Sequence, residues 1–322
     1  MPRPLVLLAC AVVVVCLVGP ALWGTAGGSD GSGVPGSRTT ASAAPPVVQP
    51  PVTEDRKTRL ALKRLLLDSG VPRPTARRVV RDAAWGAFAV RRRGPGNSRV
   101  GGPGVLPEGV RWPVSRGRPL SFVGAVDLSE LPDFADRRLL PARGTLTFFA
   151  AVEDLFEPES GNRPGARLRV FYRGARTRLV PARRPRPTAK PSRDAFPEDG
   201  VLPSVPIALR PRLMPTLDVG TYAEPPLKVT EAVSRRYDRA TSTWARRSGA
   251  PGYGGVGTTQ VLGIPEGAQG DPREPGEVAL LTVIPYELGG NFLDGGSIVF
   301  TMRRSDLRAR RWSRISVVPD SG

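Results

Sequence analysis

Histidine is missing from all 322 residues, and cysteine occurs only twice, at Cys10 and Cys16. Without histidine there is no Ser-His-Asp or Cys-His nucleophilic site of the usual kind. With both thiols inside an apolar leader, zinc, haem and blue-copper ligand sets are excluded as well, and the sequence calls for no cofactor. Lysine is also scarce, at Lys57, Lys63, Lys190 and Lys228 only, so arginine supplies 43 of the 47 cations. Against 29 acids these leave a net charge of +18. Arginine stays protonated at physiological pH, so the chain is drawn to polyanions at low salt. GC-rich codons account for part of this excess of Arg, Ala, Gly and Pro.

The N-terminus carries the one long apolar run. Arg3 precedes Leu5–Val18, and residues 5–23 contain no charge. This length falls between a signal-peptide core and a minimal membrane span. Gly24 and Ala26 offer a cleavage site after Ala26, while the Leu7-Leu8-Ala9-Cys10 lipobox has too few residues before it. Positive charge at the extreme N-terminus orients the bulk of the chain outside the cytoplasm. Residues 1–23 are therefore a signal peptide or anchor, leaving the protein on the cell membrane or, after cleavage, secreted. Residues 24–52 are Gly, Ser, Thr, Ala and Pro with Asp30 and Arg38 as the only charges, a spacer too polar to bury a core. A flexible coil of this size spans roughly 30 Å. Such a spacer favours retention of the leader as an anchor.

Thr53, Glu54 and Asp55 before Leu60, Leu62 and Leu65–Leu67, with Gly70 behind, predict a helix. Thr75 can cap a second helix through Val79, Val80, Ala83 and Ala84. Residues 53–93 thus form a basic helical segment, with twelve cations against two acids between Arg56 and Arg93. Beyond it the periodicity turns to two. Leu120–Leu128, Thr145–Val152, Leu168–Tyr172, Val278–Ile284 and Ser297–Met302 read as strands. The motif order before 180 recurs after 227, so residues 94–322 read as a duplicated β-rich α+β domain. Its halves are about 94–180 and 227–320, and the connection 181–226, with eleven prolines, reads as irregular.

The ordered motifs resemble the YwqG-like family of bacterial domains of unknown function. They are Ser98-Arg99-Val100-Gly101-Gly102-Pro103, Leu106-Pro107-Glu108-Gly109, Trp112-Pro113, Pro119–Phe122 leading to Val126-Asp127-Leu128, and Leu140–Gly144 before Phe148-Phe149. In the second half they are Leu262-Gly263-Ile264-Pro265, Gln269-Gly270-Asp271-Pro272, Asp294-Gly295-Gly296 and Asp306-Leu307. The resemblance covers about residues 75–318 and implies a fold, duplicated and β-rich, but no reaction. The chain departs from the family's Gln-Ile-Asp strand ends, with Ala125-Val126-Asp127 and Thr282-Val283-Ile284. Thr259 stands where the family often has histidine.

These motifs nominate Arg99, Trp112, Asp127, Gln269, Asp271 and Asp294 as a polar or ligand site. The run Arg163–Arg193 carries eleven cations and no acid, and Arg167, Arg169, Arg173, Arg176 and Arg178 are its polyanion-binding candidates. Arg167, Arg169 and Arg173 alternate with Leu168 and Val170, which makes one strand face basic. The letters of Gly252–Gly257 match a dinucleotide fingerprint, but Ser248–Pro251 stands where the motif needs a strand, so a flexible loop is the reading. Glu153, Asp154, Glu157 and Glu159 form an acidic set with the option of holding calcium, or of pairing with the arginines after it.

The expected function is that of an extracytoplasmic, membrane-tethered binding protein, meeting a partner protein or an anionic envelope polymer. Nucleic acid is set aside, because an exported protein meets little of it. The alternative is a carboxylate-based glycan hydrolase using Asp127, Asp271 or Asp294. An uncleaved leader predicts that the native chain retains residues before Gly27, which intact-mass spectrometry reads directly. A native N-terminus at Gly27 would mark the leader as a cleaved signal.

Overall fold

The computed structural model describes residues 52–93, 96–115, 117–152, 168–175, 177–185, 204–217, 229–248, 259–265, 271–284 and 296–320. The leader, nearly all of the spacer, the acidic set and the Gly252–Gly257 loop lie outside these. Among the described residues no helix is long and apolar enough to cross a membrane.

Leu62, Leu65 and Leu66 recur at helical spacing on α1 (Val52–Asp68), and Val79 and Ala76 on α2 (Arg73–Asp82). Together with Ala240 of α3 (Glu231–Arg247) they bury one apolar cluster. Thr230 caps α3 by accepting a hydrogen bond from the Val233 amide. The helical reading of residues 53–93 ends at Asp82. Ala83 turns extended, and Ala84–Arg91 form β1. The misreading has a physical cause. Ala87 and Ala89 face one core while Phe88 faces another, so β1 is buried on both sides and shows no period-two alternation.

A second correction concerns the connection 181–226. Val205–Met214 within it form β10, a ten-residue strand paired with β1 along its length from Ile207 to Met214. Proline in a central strand removes a ladder donor. Pro211 escapes that cost because its nitrogen faces the same side as that of Ile207, which donates to the Ser98 carbonyl. On that side β2 (Arg99–Val100) covers only Val205 and Pro206.

The remaining strands of the main sheet are β6 (Ser121–Asp127), β7 (Thr145–Ala150), β8 (Leu168–Arg173), β11 (Gln260–Leu262), β12 (Glu277–Val283), β13 (Ser297–Arg303) and β14 (Ser316–Asp320). They join in the order β14-β13-β12-β11-β1-β10-β2-β6-β7-β8, antiparallel throughout. The five strands expected from the sequence are all present. The architecture is a β-rich α+β fold, as expected.

All ten strands send side chains into a single apolar cluster. The sheet curls around it, so Phe148 of β7 and Phe300 of β13 meet edge-on with centroids 5.0 Å apart. At the seam Tyr172 of β8 packs on Trp312, in the turn 312–314 before β14, at 5.6 Å. Polar ties brace the same seam: Arg304 of α4 (Arg304–Arg308) donates to Asp136 at 2.9 Å, and Arg310 donates to the Leu139 carbonyl. Arg137 is buried and donates to the carbonyls of Leu128, Leu140, Pro141 and Ala142. Burial lowers its pKa, with Asp133 acting against that and Arg310 with it.

Local details recur on the two flanks of the central β1–β10 pair. A bulge interrupts the β6–β7 register at Val123 and the β12–β13 register at Leu280. The Ser98 hydroxyl accepts from the Asp127 amide at 3.0 Å, and the Thr259 hydroxyl from the Ile284 amide at 2.9 Å. Their carbonyls accept from the amides of Ile207 and Ala89. At Gly86 β1 approaches β11 so closely that a Cβ would lie 2.8 Å from the Gly263 Cα.

Phe300→Ala is expected to destabilise the protein by about 3–5 kcal/mol, because the cavity opens where both flanks meet. Urea unfolding reads this as a lower midpoint at unchanged slope.

Candidate functional site

The face of β2, β6, β7 and β8 turned away from the main core carries Arg99, Asp127, Arg169 and Arg173 of the residues that the sequence nominates. Cross-strand partners share a face, so the registers define three rows. Arg99, Ala125, Thr147 and Phe171 form one, Asp127, Thr145 and Arg173 the second, and Phe122, Phe149 and Arg169 the third. The bulge at Val123 brings Phe122 and Ala125, three residues apart, to the same side. Leu168, Val170 and Tyr172 point the other way into the core. The alternation expected for β8 is therefore observed at Arg169 and Arg173.

Aromatic rings seat the cations. Arg99 lies 5.2 Å over the Phe122 ring and donates to the Pro103 carbonyl. Phe122 meets Phe149 at 5.3 Å, and Phe149 meets Trp112 and Phe171 at 5.3 and 5.9 Å, all edge-on. Arg173 lies 6.0 Å from the centre of Phe171. These cation–ring contacts hold the guanidinium groups at defined places on the face. Burial lowers the Arg99 pKa. Among the described residues neither Arg99 nor Arg173 has a carboxylate partner. The Arg173 Nε and the Thr147 hydroxyl are buried without a hydrogen-bond partner. Arg169 and Arg178 are exposed. β9 (Leu179–Ala182) pairs with β3 (Gly104–Pro107), and Val105, Leu106 and Ala182 pack with Trp112 onto Phe122, Ala125, Phe149 and Phe171 in a second apolar cluster that covers the middle of this face.

The other nominated residues divide between structural work and no description. Trp112 donates from its indole to the Leu120 carbonyl at 2.8 Å, and its ring lies where a Cβ on Gly104 would stand. It builds the aromatic cluster. Asp127 accepts from the Ser129 amide and hydroxyl and from the Asn97 side chain at 2.7–2.9 Å. Burial pushes this carboxyl up, but the hydrogen bonds from Ser129 and Asn97 outweigh it and hold the group below its ordinary range. Glu130 acts in the same way on the amides of Asn97 and Ser98 and on Arg92, and it too titrates low despite burial. The two acids pin residues 97–98 to the end of β6. Asp271 is paired with Arg273, whose guanidinium also reaches the Gly263 carbonyl at 3.2 Å. Gln269, Asp294, Arg167 and Arg176 lie outside the described residues. Among the described residues no group of three or more His, Cys, Asp or Glu could hold a metal ion.

The sequence reading missed Thr147, Asn97 and Glu130. Thr147 looks like one more β-former, and only the register places it between Ala125 and Phe171, in the row that begins at Arg99. Glu130 at three residues from Asp127 was available as a turn signal.

The pattern of a family described as Domain of unknown function (DUF1963) matches residues 98–320. No curated protein is similar enough to the chain to match it.

Depressed carboxyls stabilise the fold at pH values above the unfolded value near 4, and that stabilisation is lost as pH falls through their folded values. Asp127→Asn should cost about 1 kcal/mol at pH 7 and flatten the loss of stability between pH 5 and 2.5. Urea midpoints across that range test both effects.

Proposed function

The chain belongs to the DUF1963 family, a domain of unknown function, and from that premise we propose that it is a non-catalytic, extracytoplasmic binding protein. Its leader tethers it to the membrane, and the arginines at the margins of the β2, β6, β7 and β8 face, Arg99, Arg169 and Arg173, hold an anionic envelope polymer. One observation carries the reading: Arg99 and Arg173 sit on aromatic rings of one face without, among the described residues, an acid to compensate them. A partly desolvated cation costs free energy that an arriving anion recovers. Arg169 and Arg173 are four residues apart on a strand, about 13 Å. That separation suits repeated phosphates on a chain better than one small anion. An acidic partner protein is the other occupant that these charges fit.

The hydrolase alternative draws less support. Asp127 and Asp271, its two described candidates, are each engaged in hydrogen bonds within the chain. Asp127, held low by its hydrogen bonds, is poorly suited to act as a general acid near neutral pH.

We also read the domain as YwqG-like and duplicated. Supporting this are the symmetric strand order, the bulges at Val123 and Leu280, and the matched hydrogen bonds of Ser98 and Thr259. On this reading β1–β8 and β10–β14 are the repeats. Their leading strands are exchanged, since β1 pairs with β11 and β10 with β2.

The test is retention of the full chain on immobilised poly(glycerol phosphate). Retention should weaken with salt. Arg99→Gln with Arg173→Gln should lower affinity about tenfold with the circular dichroism unchanged. Retention that ignores salt, or that survives the double substitution, would refute the assignment.

A further inference from the structure

The helical layer carries a second surface that the face described above does not use. On α1 the buried stripe is Leu62, Leu65 and Leu66. At 100° per residue the opposite side presents Arg56, Lys57, Leu60 and Arg64, and all four are exposed. Leu60 is 55 % exposed, and it is one of two large hydrophobic residues so exposed among the described residues, the other being Val114. Arg56 and Arg64 lie one turn either side of it and Lys57 three residues before, so cations ring the leucine. None of the three has a carboxylate partner among the described residues. Asp55, next to Arg56 in the chain, is turned to other work: it accepts from Arg59 at 2.9 Å and from the Trp85 indole at 2.6 Å, and exposed Asp68 lies one turn beyond Arg64. Arg59 also donates to the Val80 carbonyl at 2.6 Å. These bonds tie α1 to α2 and β1 and set its rotation, so the basic side is held outward.

We propose that this side of α1 seats the domain on an anionic phospholipid surface. The cations match phosphate headgroups, and Leu60 distinguishes the occupant. A dissolved polyanion neutralises arginines but offers no apolar phase, whereas a bilayer interface takes both the charges and the leucine. Position in the chain agrees with this. α1 starts at Val52, and the charge-free residues 5–23 lie a short stretch of sequence before it. The contact does not depend on the polymer face, whose residues are on β2 and β8.

The experiment uses the full chain carrying Leu60→Trp, with the unsubstituted chain subtracted, on vesicles of brominated phosphatidylglycerol or brominated phosphatidylcholine. The added tryptophan should be quenched in phosphatidylglycerol at least about twofold more than in phosphatidylcholine. Adding Arg56→Gln, Lys57→Gln and Arg64→Gln should remove the difference, while Arg99→Gln with Arg173→Gln should leave it. A leader inserted in both vesicles brings the domain equally close to each, so it cannot produce the difference. Equal quenching in the two lipids, quenching in neither, or quenching that survives the triple substitution overturns the proposal.

Discussion

One constraint governs the described part of the molecule: an antiparallel sheet must enclose its own apolar interior without a disulfide. The only cysteines are Cys10 and Cys16. Burial must therefore supply what a covalent staple supplies in many exported domains. Ten strands contribute to one cluster, and Phe148 and Phe300 meet across it. Neither flank of the sheet closes such a core alone. Among the described residues the seam between β8 and β14 has no strand pairing and is held instead by Tyr172, Trp312 and the arginines at 304 and 310.

Polar groups drawn into this enclosure are handled in two ways. Some are satisfied in place. Arg137 gives its two terminal guanidinium nitrogens to four carbonyls, and Ser98 and Thr259 each accept an amide that would otherwise be orphaned. Asp127 and Glu130 do the same for residues 97–98 and titrate low in consequence. Others are left open, at the Thr147 hydroxyl and the Arg173 Nε of β7 and β8 and equally at the hydroxyls of Ser121, Thr282 and Ser297.

The basic composition acquires meaning only through this sorting. Among the described residues most arginines are solvated or bonded within the chain. Arg99 and Arg173 rest on aromatic rings, and Arg56 and Arg64 of α1 flank an exposed leucine. The two surfaces differ in chemistry: one offers cations with hydrogen-bonding groups, the other cations around an apolar point. They suit a polymer and a lipid interface respectively, and both readings are compatible with a domain tethered outside the cytoplasm.

The sequence alone determined the chemistry available and the positions of the clearly alternating strands. Absent histidine and confined cysteine narrowed the possible reactions, and Leu168, Val170 and Arg169 already displayed a two-sided strand. β1 and β10 were not legible, because a strand buried on both faces loses its alternation and Pro206 and Pro211 mask the other. Tertiary structure decided which residues stand together. Arg99 and Arg173 are 74 positions apart in the chain, and only the registers across β6 and β7 bring them to one face. Local sequence encodes which side of a strand a residue takes, but strand order and register arise from long-range pairing around the shared core, and no short window of sequence carries that.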